Sequence, residues 1–249
     1  MKVSVLDVGQ GDALLIQTPE RKTVLIDAGI GSVVMGPLGE KMGFFDKTID
    51  LFILTHPDRD HFGGILDVMG SYTIKKALLS GIADNDSYYQ EFLTKLREQK
   101  VEVLFAHADT DVQIGPRLFL DVLNPGKEDN DVGKILNDKN ETSVVTRLIR
   151  QTEKGWEPLA LFTGDAPIKT EREILIDGED VRVPILKLGH HGSKYSTSPE
   201  WVAATQPRTA LISVGKDNKY GHPNQEALDR LPGVQIRRTD EEGTITYEF

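Results

Sequence analysis

The sequence predicts an α/β protein, on three observations. Short apolar runs of strand length alternate with helix-period segments along the whole chain, the order that sets α/β proteins apart from all-α and all-β ones. Six polar signatures stand where apolar runs stop, and such a convergence of strand ends is the geometry of an active-site edge. The 249 residues are enough for a sizeable core, as one large domain or two small ones.

In chain order, residues 2–8 alternate and stop at Gly9-Gln10-Gly11-Asp12, and 13–17 and 23–26 are two further apolar runs parted by the turn-like Thr18-Pro19-Glu20-Arg21-Lys22. These predict a β-meander. Residues 29–47 are Gly-rich, carry Met and Phe and show no clear period. They predict a long loop, either packed on the domain or a lid whose Phe44 and Phe45 clamp a base or acyl group. A strand at 51–55 runs into His56-Pro57-Asp58-Arg59-Asp60-His61, and 62–69 predict a short helix behind that loop. A strand at 75–79 follows, then a helix over 86–97 with an acidic cap and with Tyr89, Phe92, Leu93 and Leu96 on one face.

Strands at 101–105 and 118–123 close a sheet-rich first half. The polar run from Asn124 to Asp131 marks a seam, near 124–140, between two halves of a single domain spanning 1–249. The second half predicts strands at 143–149, 159–163, 183–188 and 210–214 and helices at 167–176, 199–204 and 225–231. It ends in a hairpin of 236–238 with 244–247.

The chain carries 29 Lys and Arg against 39 Asp and Glu, a net charge of −10, and no cysteine. The missing cysteine excludes disulfides, thiolate zinc sites, iron–sulfur clusters and a cysteine nucleophile. Any metal must therefore be held by His and carboxylates. The N-terminus reaches Asp7 before a signal peptide's apolar stretch could form, and no run approaches the roughly 18–20 apolar residues that cross a bilayer. The expectation is a cytoplasmic chain with no membrane segment. The acidic balance argues against a nucleic-acid coat but not against a metallonuclease, whose bound cations reverse the potential locally.

His56-x-Asp58-x-Asp60-His61 anchors the chemical reading. A divalent cation needs several converging lone pairs, and a tight turn carrying alternate His and Asp aims them at two neighbouring ions. The bland alternative is a solvated loop. Gly63-Gly64 favours the metal reading by letting the loop turn sharply into the helix behind it. Asp165 ends a hydrophobic strand and can bridge two cations, although an Asp after Gly is on its own more often a turn or cap. Adjacent histidines such as His190 and His191 point in different directions, so one suits metal while the other faces substrate; a core histidine bonded to backbone is the alternative.

Taken in order, six series carry a resemblance: Asp7-Val8-Gly9-Gln10-Gly11-Asp12-Ala13, Leu25-Ile26-Asp27-Ala28-Gly29, the stretch from Thr55 to Gly64, Asn140-Glu141-Thr142-Ser143-Val144-Val145, Phe162-Thr163-Gly164-Asp165 and Leu188-Gly189-His190-His191-Gly192-Ser193. The chain resembles the metallo-β-lactamase superfamily and, within it, the β-lactamase-like hydrolase domain of ComEC-type competence proteins. Asn218-x-Tyr220-Gly221-His222-Pro223 and Arg238-Thr239-Asp240-x-x-Gly243-Thr244-Ile245 match that domain too. The membrane channel of those proteins has no counterpart in this sequence.

The resemblance implies a four-layer αβ/βα metallo-β-lactamase sandwich with two divalent cations where the strand-end loops meet. His56 and Asp58 would serve one cation. Asp60, His61 and one of the histidine pair, assigned as His191, would serve the other, with Asp165 bridging. Asp27 would orient the histidine loop from behind, and Asp12 and Asn140 would stand behind the ligands or against substrate. Ser193, Lys194, Lys219 and Tyr220 are candidate phosphate neighbours, each equally at home as a surface residue.

Two departures from the superfamily's commonest pattern, Asp58 for a histidine and Asn140 where a histidine is often found, put oxygen in place of nitrogen around the first cation. Oxygen-rich sites favour Mn²⁺, with Zn²⁺ second. The implied reaction is hydrolysis of a phosphodiester, DNA or a nucleotide, by a hydroxide held between the cations. Asp60 would orient the nucleophile, and His190 or His222 would supply the leaving group's proton; His222 could equally join the metal or cap a loop. Hydrolysis of a carboxylic ester, thioester or lactam is the alternative chemistry, and a binding module with a decayed site the non-enzymatic one.

Overall fold

Leu14 and Ile16 face one way from their strand and Leu15 the other, and Val24, Ile26 and Ile53 oppose Leu25, Phe52 and Leu54 in the same manner. Both faces of these strands are buried, so each side of the sheet must be covered by a further layer. A computed structural model describes residues 1–43, 45–108, 110–126 and 131–249. Phe44, and residues 127–130 of the expected seam, lie outside the described residues.

Fourteen strands among the described residues form two seven-stranded sheets. They are β1 (Lys2–Val5), β2 (Leu14–Gln17), β3 (Thr23–Ile26), β4 (Thr48–Leu54), β5 (Thr73–Leu79), β6 (Glu102–Phe105), β7 (Asp111–Gly115), β8 (Leu118–Asn124), β9 (Val145–Thr152), β10 (Gly155–Phe162), β11 (Ile185–Lys187), β12 (Thr209–Ile212), β13 (Gln235–Arg238) and β14 (Ile245–Glu248). The first sheet runs β14-β1-β2-β3-β4-β5-β6 and the second β13-β12-β11-β10-β9-β8-β7. In each, antiparallel strands give way to parallel ones, at β3 in the first sheet and at β10 in the second.

Helices α1 (Met35–Met42), α2 (Arg59–Phe62), α3 (Ile65–Ser71) and α4 (Ser87–Glu98) belong to the first half of the chain, and α5 (Ile168–Ile176), α6 (Pro199–Thr205), α7 (Gln225–Leu228) and α8 (Thr239–Glu242) to the second. Phe52 of β4 packs edge to face with Phe92 of α4, centroids 5.9 Å apart, a pairing worth about 0.5–1.5 kcal/mol beyond its burial. Trp201 of α6 and Ile174 of α5 cover the outer face of the second sheet. Two helices carry side-chain caps, each typically worth about 1 kcal/mol. The Asp86 carboxylate accepts from the Tyr88 and Tyr89 N–H groups at 2.8 and 3.2 Å, and the Ser198 hydroxyl accepts from Trp201 N–H at 3.1 Å. The layers are thus helix, sheet, sheet, helix, the α/β sandwich expected. No helix among the described residues is long and apolar enough to cross a membrane.

Four expectations are corrected. Residues 29–47 are not an unstructured loop: a 3-10 turn (Gly31–Val34) leads into α1, which buries Leu38 and Met42 beside Val34. That four-residue spacing is helical, but Gly36, Pro37 and Gly39 mask it by lowering intrinsic propensity, and burial decides. The terminal segments do not form a hairpin. β13 pairs parallel with β12 and β14 antiparallel with β1, in different sheets, because α8 and Gly243 carry the chain from one sheet to the other. The helix expected over 225–231 stops at Leu228, since Pro232 disfavours helical backbone at the residue before it. Finally, Gly63 and Gly64 are helical in φ and ψ. The glycine at 64 is required by close approach, since a Cβ there would stand 2.3 Å from the Ala28 carbonyl oxygen.

Candidate metal centre

The chain leaves β3 at Asp27, β4 at Thr55-His56, β10 at Gly164-Asp165, β11 at Gly189-His190-His191 and β12 at Ser213. These strand ends meet at one edge of the sandwich. The β1–β2 connection joins them there: Asp12 N–H donates to the Asp60 carbonyl at 3.1 Å, and a Cβ on Gly11 would lie 2.3 Å from that same oxygen.

Hydrogen bonds fix the orientation of three imidazoles. Asp27 Oδ1 accepts from Thr55 N–H at 2.8 Å, and Asp27 Oδ2 accepts from Thr55 Oγ1 and His61 Nδ1, each at 2.7 Å. Thr55 Oγ1 stands 3.0 Å from His56 Nδ1, with Ser143 Oγ at 3.4 Å on the same nitrogen. His191 Nδ1 donates to the Ser213 carbonyl at 2.9 Å. With Nδ1 engaged in each ring, Nε2 is the nitrogen left to bind something else.

His56 Nε2, His61 Nε2, His191 Nε2 and Asp165 Oδ1 are buried with no hydrogen-bond partner. Buried polar atoms are rarely left so, and here they converge. The donor atoms of His56, His61 and Asp165 lie within 4.8 Å of one another, as do those of Asp60, His61 and His191 and those of Asp12, Asp165 and His191. Imidazole nitrogen and carboxylate oxygen are divalent-cation donors, so these residues fit a metal centre. Asp58 enters none of these groups; its Oδ2 lies 3.7 Å from His56 Nε2 while its Oδ1 is 2.6 Å from Lys139 Nζ.

Backbone strain gathers at the same edge. Asp27, His190 and His191 have φ of 60°, 50° and 55°, left-handed values that cost a non-glycine residue roughly 1–2 kcal/mol each. His190 N–H donates to the Gly164 carbonyl at 3.1 Å and the His190 carbonyl accepts from Ser193 N–H at 2.9 Å, which hold the two consecutive left-handed residues.

The electrostatics follow from burial and crowding of opposite charges. Burial opposes protonation of His61, but Asp165 and Asp27 outweigh it and raise its pKa well above the ordinary value. Against the same penalty, Asp165 and Asp12 lift His191 to about 9. Burial, reinforced by the charge on His61, lowers His56 well below the ordinary value. His222 falls to about 4, through burial and then His190 and His191. Burial works against ionisation of Asp165, Asp60 and Asp12, yet all three are lowered: His61 and His191 act on Asp165, His191 and His61 on Asp60, and Lys187 and His191 on Asp12.

The remaining expected residues stand further out. His190 is 31% exposed, its Nε2 3.6 Å from Asp165 Oδ2, and its ring centroid is 5.6 Å from that of His222. Tyr220 is exposed and stacks on His222 at 5.8 Å, with Lys219 Nζ 5.1 Å from the Tyr220 ring centre. Lys194 Nζ lies 5.3 Å from the ring centre of Tyr195. Ser193 is buried and its hydroxyl accepts from Tyr195 N–H. Asn140 opens a 3-10 turn (Asn140–Thr142), and it is Ser143, three residues on, whose hydroxyl reaches His56.

Sequence reasoning missed Thr55, Ser143, Ser213, Lys139 and Lys187. Thr55 and Ser143 stand within series that carry the resemblance but are given no role by it, and Lys187 left a signal of its own, a lone charge within Ile185-Leu186-Lys187-Leu188; it is wholly buried.

Fold and site together define a class. The chain belongs to the metallo-beta-lactamase superfamily, which its residues 6–216 match. It is 30% identical over 269 residues to ComE operon protein 3 of Bacillus subtilis (strain 168), a ComEC-family competence protein. The match covers 100% of this chain and 33% of that protein, so the chain spans about a third of the length of that relative. Among solved structures, the metallo-beta-lactamase fold protein YhfI from Bacillus subtilis superposes with a TM-score of 0.63 at 13% identity, covering 100% of this chain and 99% of that one. A diphosphatase from the PhnP family gives 0.57 at 16% identity, covering 100% and 98%. At those identities the two structures bear on fold alone.

Proposed function

We propose that this chain is a metal-dependent phosphodiesterase that cleaves DNA or nucleotides. The observation that carries the reading is the set of buried, unpartnered donor atoms, His56 Nε2, His61 Nε2, His191 Nε2 and Asp165 Oδ1, converging at one edge of the sandwich. Asp60, His61 and His191 would hold one cation, His56 with Asp58 Oδ2 the other, and Asp165 would bridge. The carboxylate share of this donor set suits Mn²⁺, with Zn²⁺ second. Divalent cations in such a site supply Lewis acidity, lowering the pKa of water and neutralising the charge that develops on a phosphodiester.

The chain's own residues supply the rest. Asp27 and the Ser213 carbonyl keep the His61 and His191 protons on Nδ1, so that Nε2 is available as a lone pair. Asp60, 3.4 Å from His191 Nε2 and partly open to solvent, would orient the attacking water. His190, partly exposed beside Asp165, would give a departing sugar alkoxide the proton it needs, with His222 beside it. Lys194, Lys219 and Tyr220 would meet phosphate and base. Similarity to a competence protein over the full length of this chain supports DNA as the substrate.

One panel tests this: bis-p-nitrophenyl phosphate, a cyclic nucleotide diester, single-stranded DNA, a thioester and nitrocefin, each with Mn²⁺ and with chelator. The expected result is Mn²⁺-dependent turnover of the phosphodiesters. Turnover confined to the thioester or nitrocefin would move the assignment to the ester and lactam chemistry, and no metal-dependent turnover of any phosphodiester would end it.

A further inference from the structure

Of the three acidic residues assigned above as ligands, Asp58 differs from Asp60 and Asp165 in having an ammonium of the chain's own among the described residues; the buried Lys187 is paired instead with Asp12. Lys139 Nζ lies 2.6 Å from Asp58 Oδ1 and 2.7 Å from Asp84 Oδ2, and it donates to the Pro57 carbonyl at 2.9 Å. Hydrogen bonds to the Pro57 carbonyl and Asp84 Oδ2 hold the ammonium against Asp58, and Lys139 is only 27% exposed. The lysine is therefore a fixed positive charge against the carboxylate, anchored by two further partners. Only Oδ2 of Asp58 remains on the His56 side, 3.7 Å from Nε2. Among the described residues no ammonium is paired with Asp60, which instead faces His191.

We propose that Lys139 makes the two cation positions unequal: the position at Asp60, His61 and His191 binds tightly, and the position at His56 and Asp58 binds weakly because Asp58 is shared with Lys139. The inference rests on the two-cation reading above. Two effects act together. The ammonium occupies one of the two carboxylate oxygens, and its charge repels a divalent ion in the neighbouring position, where a unit charge a few ångströms away changes affinity about tenfold or more. The second position then fills only at high free cation concentration or when an anionic substrate brings compensating charge, so Lys139 sets the metal concentration at which the dinuclear form exists.

Titration of the metal-stripped full chain with Mn²⁺, read by calorimetry and by the electron paramagnetic resonance signal of free Mn²⁺, tests this without reference to activity. The wild-type protein should take up two equivalents differing about tenfold or more in affinity. Lys139→Gln should tighten the weak equivalent about tenfold and leave the tight one unchanged, and Asp58→Asn should abolish the weak one alone. Because Lys139→Gln strands Asp84, the double variant Lys139→Gln with Asp84→Asn guards against misfolding and should show the same tightening. Two equal equivalents in the wild type, or a weak equivalent that neither variant tightens, would overturn the proposal. Absence of any Mn²⁺ uptake would overturn the two-cation reading itself and this inference with it.

Discussion

Lys187 pairs with Asp12 where neither side chain reaches solvent, and this contact ties three loops of the centre together. Lys187 Nζ also donates to the Gly164 carbonyl at 3.1 Å, the oxygen that accepts from His190 N–H. Asp12 Oδ1 lies 3.3 Å from His191 Nδ1. Removing one partner of a buried pair leaves the other uncompensated, at a cost of about 3–5 kcal/mol, whereas replacing both by apolar residues is often neutral. Lys187→Met should therefore lower unfolding stability by that amount in denaturant titrations, and Lys187→Met with Asp12→Leu should recover most of it. A Lys187→Met protein as stable as wild type would show that the pair carries no such weight.

Asp27 accepts from His61 Nδ1 at 2.7 Å and so orients the ring whose Nε2 faces the cluster. Loss of a carboxylate behind a metal-bound histidine commonly lowers metal affinity about 10–100-fold. Asp27→Asn should weaken Mn²⁺ binding by that factor in a chelator competition assay. Unchanged affinity would show that Thr55 and burial suffice to orient the ring.

The two histidines with raised pKa give metal binding a pH dependence. Burial disfavours charge on His191, yet Asp165 and Asp12 raise its pKa to about 9, and Asp165 and Asp27 raise His61 well above the ordinary value. A cation must displace those protons, so Mn²⁺ affinity should climb from pH 6.5 to 9, by up to roughly tenfold per pH unit for each proton displaced. For the metal-free protein the sign reverses. Groups with raised folded-state pKa values stabilise the fold fully below the unfolded pKa of about 6.5, and that contribution disappears as pH rises through the folded value. Stability of the stripped protein should thus fall towards pH 9, and chelator competition and thermal unfolding at several pH values check both directions.

Gly9 and Gly11 separate backbone strain from steric conflict. A Cβ on Gly9, at φ +71°, meets nothing within 4 Å, whereas on Gly11 it would stand 2.3 Å from the Asp60 carbonyl oxygen. Gly9→Ala should cost roughly 1–2 kcal/mol of stability with metal affinity kept. Gly11→Ala should in addition displace the Asp60 loop and weaken Mn²⁺ binding at least about tenfold. Equal effects of the two substitutions on metal affinity would contradict the role given to this contact.

How much of this the sequence disclosed depends on how local each signal was. The meander of β1 to β3, the strand running into His56 and the capped helix after Asp86 were legible because period and cap are written in consecutive residues. The convergence of His56, His61, Asp165 and His191 was legible only through the resemblance, since these residues are brought together by sheet order and not by spacing. Helix α1 was hidden by its glycines, and the split of the terminal strands between two sheets depends on long-range pairing of β14 with β1. The roles of Ser143, Ser213 and Lys139 were hidden for a similar reason: ordinary polar residues in the sequence, they matter through partners 87, 22 and 82 positions away.

The most direct test of the central claim is the steady-state rate of bis-p-nitrophenyl phosphate hydrolysis by wild type and by Asp60→Ala, each with Mn²⁺ and after chelation. Asp60 joins His61 and His191 in one ligand group while lying partly open to solvent, so its loss should empty the tight position without unfolding the chain. Wild type should turn over only with Mn²⁺, and Asp60→Ala should be slower by about a hundredfold or more, a barrier increase of about 2.7 kcal/mol. Full activity in Asp60→Ala, or turnover by wild type that survives chelation, would contradict the account.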